Sequence, residues 1–107
     1  MPAPIDTDPI LVRFRAALFA AYGDRLDRVV LFGSRARGDH RPDSDYDIAV
    51  FIRDPGTLWD ELGVLGEITT EILIETAADI SAKPLPAGSY CDPGLFMSEL
   101  RRDGREL

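Results

Sequence analysis

The chain predicts a single α/β (α+β) domain, a small mixed sheet packed with helices in the order αβ(α)βαβα. Three observations carry that expectation. Two short apolar runs, 29–32 and 48–52, have the density of buried strands. Helix-period segments alternate with them. The length, 107 residues, suits one core rather than two, so residues 1–107 are taken as one domain with residues 1–8 as a flexible lead.

The first helix is announced by Asp8 as cap and Pro9 at the first helical position. Ile10, Leu11, Phe14, Ala17, Leu18 and Ala21 are spaced along one face, and Gly23 is a stop signal. A strand over 28–32 follows. The arginine-rich piece 34–40 is expected to hold a short helix whose amino end abuts Gly33 and Ser34, with Pro42 ending it. The second strand, 45–52, is apolar through its inner half, which predicts cover on both faces. Asp54-Pro55-Gly56 turns the chain, and Thr57 with Asp60 three residues on resembles a capping box.

Leu58, Leu62, Leu65, Ile68 and Ile72 then mark one helical face running to about 75. Gly63 and Gly66 each weaken that helix by about 1 kcal/mol relative to alanine, and close packing on the sheet is the expected return. The third strand is expected over 77–83, with Asp79 on its polar side and Pro84 and Pro86 closing it. A final helix over 93–103 is expected to turn Leu95, Phe96 and Leu100 inward and to end at Gly104.

Composition narrows the function. Nineteen acidic residues against twelve basic ones, net charge -7, oppose direct nucleic-acid binding through a broad basic surface. Cys91 stands alone, so no disulfide forms within the chain. No signal-type leader and no run of membrane-span length is present, which gives a cytoplasmic location and no membrane partner as expectations.

The chemistry concentrates between residues 29 and 52. Gly33 and Ser34 follow the first strand and are small enough to let a ligand approach the backbone. Asp45 and Asp47, two apart at the entry of the second strand, point to one face. At ~6 Å and an effective dielectric of ~20 their repulsion is of order 3 kcal/mol, which a hard divalent cation relieves. Magnesium takes one or two carboxylates and completes its shell with water and substrate phosphates, so the pattern suggests metal-assisted phosphoryl or nucleotidyl transfer. Arg35 and Arg37 could contact phosphate or brace a nearby carboxylate such as Asp39 or Asp43.

Gly33-Ser34, ten intervening residues, then Asp45-Tyr46-Asp47, set in Gly-Ser-Arg-Ala-Arg-Gly and Pro-Asp-Ser-Asp-Tyr-Asp, resembles the minimal nucleotidyltransferase (MNT) domain of the DNA polymerase beta-like superfamily. The ending 99–107 is similar to that family's usual close. The resemblance implies a nucleotidyltransferase fold in which Gly33 and Ser34 hold the triphosphate of ATP. It implies Asp45, Asp47 and a third acid, by position Asp79, as catalytic residues and Mg2+ ligands, with Glu75 or Glu71 as the fallback for the third. It further implies an MntA-type antitoxin that transfers AMP from ATP to a hydroxyl of a HEPN-domain toxin. The alternative is a non-catalytic antitoxin that neutralises the toxin by steric complex formation.

Other residues have plainer expectations. Ser44 caps a turn, His40 is solvated, Cys91 is structural, Trp59 is core or interface, and Arg101-Arg102 is a solvated helix end.

Overall fold

The computed structural model describes residues 7–107. Four helices and four strands follow in the order α1 (Pro9–Tyr22), β1 (Leu26–Phe32), α2 (Ser34–Arg37), β2 (Tyr46–Ile52), α3 (Leu58–Thr76), β3 (Ile80–Pro86), α4 (Leu95–Asp103) and β4 (Arg105–Glu106), with single 3-10 turns after α1 and β3. The strands form one sheet in the order β3-β2-β1-β4. β2 runs antiparallel to β1 and parallel to β3, and β4 returns antiparallel to β1. The sheet is therefore mixed, as expected. The expected flexible lead lies outside the described residues apart from Thr7 and Asp8, and Asp8 is anchored as the cap of α1, accepting from the Ile10 and Leu11 N–H groups.

Two apolar layers cover the sheet. On one side Leu11, Phe14, Leu18 and Tyr22 of α1 and Leu65 and Ile72 of α3 bury Val29, Leu31, Ile48, Val50 and Ile52. On the other, Met97 and Leu100 of α4 cover Val30, Ala49 and Phe51. Continuous apolar sequence in β2 thus serves both faces. The Thr57–Asp60 capping box starts α3 and Gly23 ends α1, both as read from sequence.

Several expectations are corrected. β3 begins three residues later than predicted, because α3 continues to Thr76 and closes on Ala77 in the left-handed region. Pro84 and Pro86 lie inside β3 instead of ending it. The Asp79 carbonyl accepts from the Tyr46 N–H, so odd residues of this edge strand turn their backbone groups toward β2 and the even ones, both prolines included, turn outward where no N–H is needed. In α4, Met97 and Leu100 are buried, while Leu95 is exposed and Phe96 partly so, because Met97 and Leu100, three apart, form the face that packs on Val30, Ala49 and Phe51 and Leu95 lies off it.

A further correction concerns α3. Leu58 and Leu62 face solvent, and a Cβ added at Gly63 or Gly66 would meet nothing within 4 Å. The glycines do not serve packing on the sheet. β4 was not foreseen; it follows Gly104, where a Cβ would meet the Leu100 carbonyl oxygen and, at 2.6 Å, Val30 Cγ1. Cys91 is exposed rather than structural. Among the described residues no helix is long and apolar enough to cross a membrane.

Candidate active site

Gly33 is the hinge of the site. It leaves β1 with φ 72° and ψ −155°, a conformation open to glycine, and its carbonyl accepts from the Ala36 and Arg37 N–H groups as α2 begins at Ser34. A Cβ built there would lie 2.5 Å from Asp47 Oδ2, so the absence of a side chain lets the carboxylate sit against the backbone turn. The short helix expected beyond Gly33-Ser34 is present, and Gly38 in the left-handed region ends it before Pro42 is reached.

Register places the three acids. Asp47 pairs with Phe32 on β1 and with Ser81 on β3. Asp45 precedes β2 and is exposed; strand alternation gives it the face of Asp47, the side covered by α4. Tyr46 pairs with Ile80, so the preceding pair is Asp45 with Asp79, and Asp79 shares that face at the mouth of the parallel β2–β3 ladder. Asp79 is exposed and lies one residue before β3, where its carbonyl accepts from Tyr46. Among the described residues no three His, Cys, Asp or Glu side chains are gathered into a metal cage.

Burial raises the Asp47 pKa above the ordinary carboxylate value, the Asp45 charge raises it further, and Arg37 opposes both. Hard oxygen donors under mutual repulsion fit a divalent cation that completes its shell from substrate phosphate. Glu75 and Glu71 do not offer an alternative third acid. They stand on α3, across the sheet from Asp47, and Glu75 pairs with Arg13 at 2.6 Å.

The arginines beside Gly33 divide the work. Arg35 Nε donates to the Ser44 carbonyl (2.9 Å) and its Nη2 to the Pro42 carbonyl (3.2 Å), while its guanidinium lies 3.9 Å above the Tyr46 ring. It braces the loop that delivers Asp45. Tyr46 in turn donates to Asp8 (2.9 Å); burial and that bond push its pKa up to about 12. Ser44 closes the same loop, its Oγ accepting from the Arg41 N–H as expected. Arg37 pairs with Asp39 at 3.3 Å and lines a cleft of about 170 Å³ with Gly33, Phe96, Glu99 and Asp103. His40 is exposed.

The sequence reading gave two residues beside the cleft no part in the site. Phe96 meets Phe32 edge to face at 5.5 Å, and Lys83 Nζ stands 5.4 Å from the Phe96 ring. Lys83 pairs with Ala49, and alternation from Ser81 puts it on the carboxylate face. It is the sole lysine of the chain, a signal that became legible only once β3 was placed over Ile80–Pro86.

Residues 17–83 match the family model of polymerase beta nucleotidyltransferases, a span that includes Gly33, Ser34 and all three acids. The chain belongs to that family. Among curated proteins it is 36% identical over 56 residues to MJ0141 of Methanocaldococcus jannaschii, a protein assigned by name to the protein adenylyltransferases. That match covers 52% of this chain and 57% of the relative, so the chain spans a little over half the length of that protein.

Solved structures share the fold of this family member. A protein of Sulfolobus solfataricus assigned to the nucleotidyltransferases aligns over 97% of this chain and 86% of its own, with TM-score 0.58 at 18% identity. A mutant MntA–HpeT toxin–antitoxin aligns over 86% and 68%, with TM-score 0.60 at 17% identity. A toxin–antitoxin crystallised with AMP-PNP aligns over 87% and 68%, with TM-score 0.58 at 19% identity.

Proposed function

We propose that this chain is a Mg2+-dependent protein adenylyltransferase that moves AMP from ATP onto a hydroxyl of a HEPN-type toxin and so acts as its antitoxin. The observation that carries the reading is the contact between Gly33 and Asp47. A turn that favours glycine lays a backbone helix start against a carboxylate whose ionisation is disfavoured, an arrangement suited to phosphate with a bound cation. The family match over 17–83 supports the reaction class, and the adenylyltransferase assignment of MJ0141 and the toxin–antitoxin neighbours support the acceptor class.

In this reading Gly33 and Ser34 orient the triphosphate through the backbone of the turn. Asp45 and Asp47 are the residues that would hold Mg2+, with Asp79, on the same face, as the third acid. Bound there, the metal supplies Lewis-acid stabilisation of the charge that develops on the transferred phosphoryl group. The acceptor oxygen forms the new P–O bond as the bond to pyrophosphate breaks, and Asp79 assists loss of the hydroxyl proton. Arg35 keeps Asp45 in place through the 42–44 backbone, and Arg37 offsets part of the negative charge at Asp47.

The test pairs the chain with the toxin, labelled ATP and Mg2+. Wild type is expected to add the mass of AMP to the toxin, and the Asp45→Asn, Asp47→Asn variant to add none while retaining its fold. Undiminished transfer by that variant would overturn the assignment. Full protection of toxin-producing cells by the variant would favour the steric antitoxin instead.

A further inference from the structure

The side of α3 that faces solvent is not built like a solvent face. Leu65 and Ile72 point into the core, and at helical spacing on the opposite side stand Trp59, Gly63, Gly66, Thr70 and Ile74. Trp59 is 80% exposed and Ile74 79%. Leu62 and Leu73 widen the apolar strip along one flank. The other flank carries Asp60, Glu67 and Glu71, and α3 contains no Lys or Arg at all.

The glycines make the same point independently. Each costs the helix about 1 kcal/mol relative to alanine, and beyond the helix's own backbone and the adjoining residues nothing lies within 4 Å of a Cβ built at either one. Small residues between large apolar ones let a second helix approach closely. From Trp59 to Ile74 the strip runs about 22 Å at 1.5 Å per residue, the length of four turns.

Charge decides the occupant. A second copy laid antiparallel about a two-fold axis would match large residues to large and small to small. The same axis would lay the acidic flank of one copy along that of the other, Glu67 near Glu67 and Asp60 near Glu71, with no cation on either helix to separate them. A net charge of -7 adds to that repulsion. A helix with an apolar side and Lys or Arg along one edge meets both flanks favourably.

We propose that the outer face of α3 docks a cationic amphipathic helix of the protein acceptor, its apolar side over Trp59, Gly63, Gly66 and Ile74 and its cations along Asp60, Glu67 and Glu71. The inference rests on the toxin-acceptor reading and adds the surface that holds the acceptor. α3 covers the face of the sheet opposite Asp45 and Asp47, so the docked helix leaves the cleft at Gly33 open to another segment of the same acceptor.

The experiment titrates the HEPN-type toxin, inactivated for expression, into three forms of the full chain: wild type, W59E/I74E and E67K/E71K. Calorimetry is run at low and high salt, with thermal melts and Mg-ATP binding as controls. W59E/I74E is expected to lose at least 100-fold in affinity. E67K/E71K is expected to lose about tenfold together with most of the salt dependence. Both should melt and bind Mg-ATP as wild type does, and in transfer assays both should raise KM for the toxin with kcat retained. Wild-type affinity in both variants, with transfer intact, would overturn the docking surface and leave the proposed activity standing. No binding of the toxin to wild type would overturn both. A wild-type dimer that W59E/I74E dissolves would identify a second copy as the occupant and overturn the proposal.

Discussion

Replacing Gly33 by alanine tests the geometry at the centre of the site. Two penalties are expected, and they are separable. The backbone at φ 72°, ψ −155° lies where non-glycine residues are strained by about 1–3 kcal/mol. The new Cβ would also sit 2.5 Å from Asp47 Oδ2, so the carboxylate must rotate or β1 must shift, and overpacking of that kind costs about 1–3 kcal/mol. Together they predict a loss of about 3–4 kcal/mol, which for a domain of this size lowers the melting temperature by roughly 15 °C or more.

A double-mutant cycle divides the loss. Asp47→Ala in the Gly33→Ala background removes the obstructing carboxylate but leaves the backbone strain, so about 1–2 kcal/mol should return as coupling energy. Urea unfolding of the four proteins measures it. Additivity within about 0.3 kcal/mol would refute the contact between Gly33 and Asp47, and a Gly33→Ala melting temperature within about 2 °C of wild type would refute the strain as well.

Other outcomes follow from the same coordinates. Asp47→Asn should stabilise the metal-free protein at pH 7 but not at pH 3: a carboxyl whose folded pKa is raised destabilises the fold above that pKa, and the penalty vanishes below the unfolded value of about 3.8, where both states are protonated. Denaturant titrations at the two pH values check the sign. Glu61, buried near the far end of β2, accepts from Tyr22 Oη (3.0 Å), the Gly56 N–H (2.8 Å) and Arg25 (3.1 Å); Glu61→Ala removes all three bonds and leaves the buried Tyr22 hydroxyl without its acceptor, while Arg25 keeps the Arg53 and Asp54 carbonyls, and should cost about 2–4 kcal/mol in urea unfolding. Arg35→Ala should cost about 1–2 kcal/mol and speed amide exchange across 39–45, and Arg35→Lys should not restore protection, because a point charge can neither reach two carbonyls at once nor stack on Tyr46. If the acids share a cation, Mg2+ with ATP should raise the melting temperature well beyond ATP in chelator; equal shifts would remove the metal from the site.

Short-range preferences alone set several parts of this molecule. The Asp8 cap, the Thr57–Asp60 box, the stop at Gly23 and the apolar density of β2 are governed by neighbours a few residues away, where hydrogen-bonding and backbone preferences act directly. Gly33, Ser34, Asp45 and Asp47 were legible for the same reason: their spacing belongs to one strand–turn–strand segment. Tertiary structure decided what depends on partners distant in the chain. Pairing with β2 drew Pro84 and Pro86 into an edge strand, where outward-facing nitrogens need no donor, and so moved Asp79 to the strand's mouth and Lys83 onto the carboxylate face. Sheet contact likewise buried Leu65 and Ile72 of α3 and left exposed Leu62, on the flank, and Leu58, in phase with them at the first turn, an outcome periodicity leaves open because apolar residues occur around most of that helix. The fit of Asp47 against Gly33 is the clearest case. Fourteen positions separate the two, and only the antiparallel register of β1 with β2 sets the carboxylate where a side chain on residue 33 would otherwise stand.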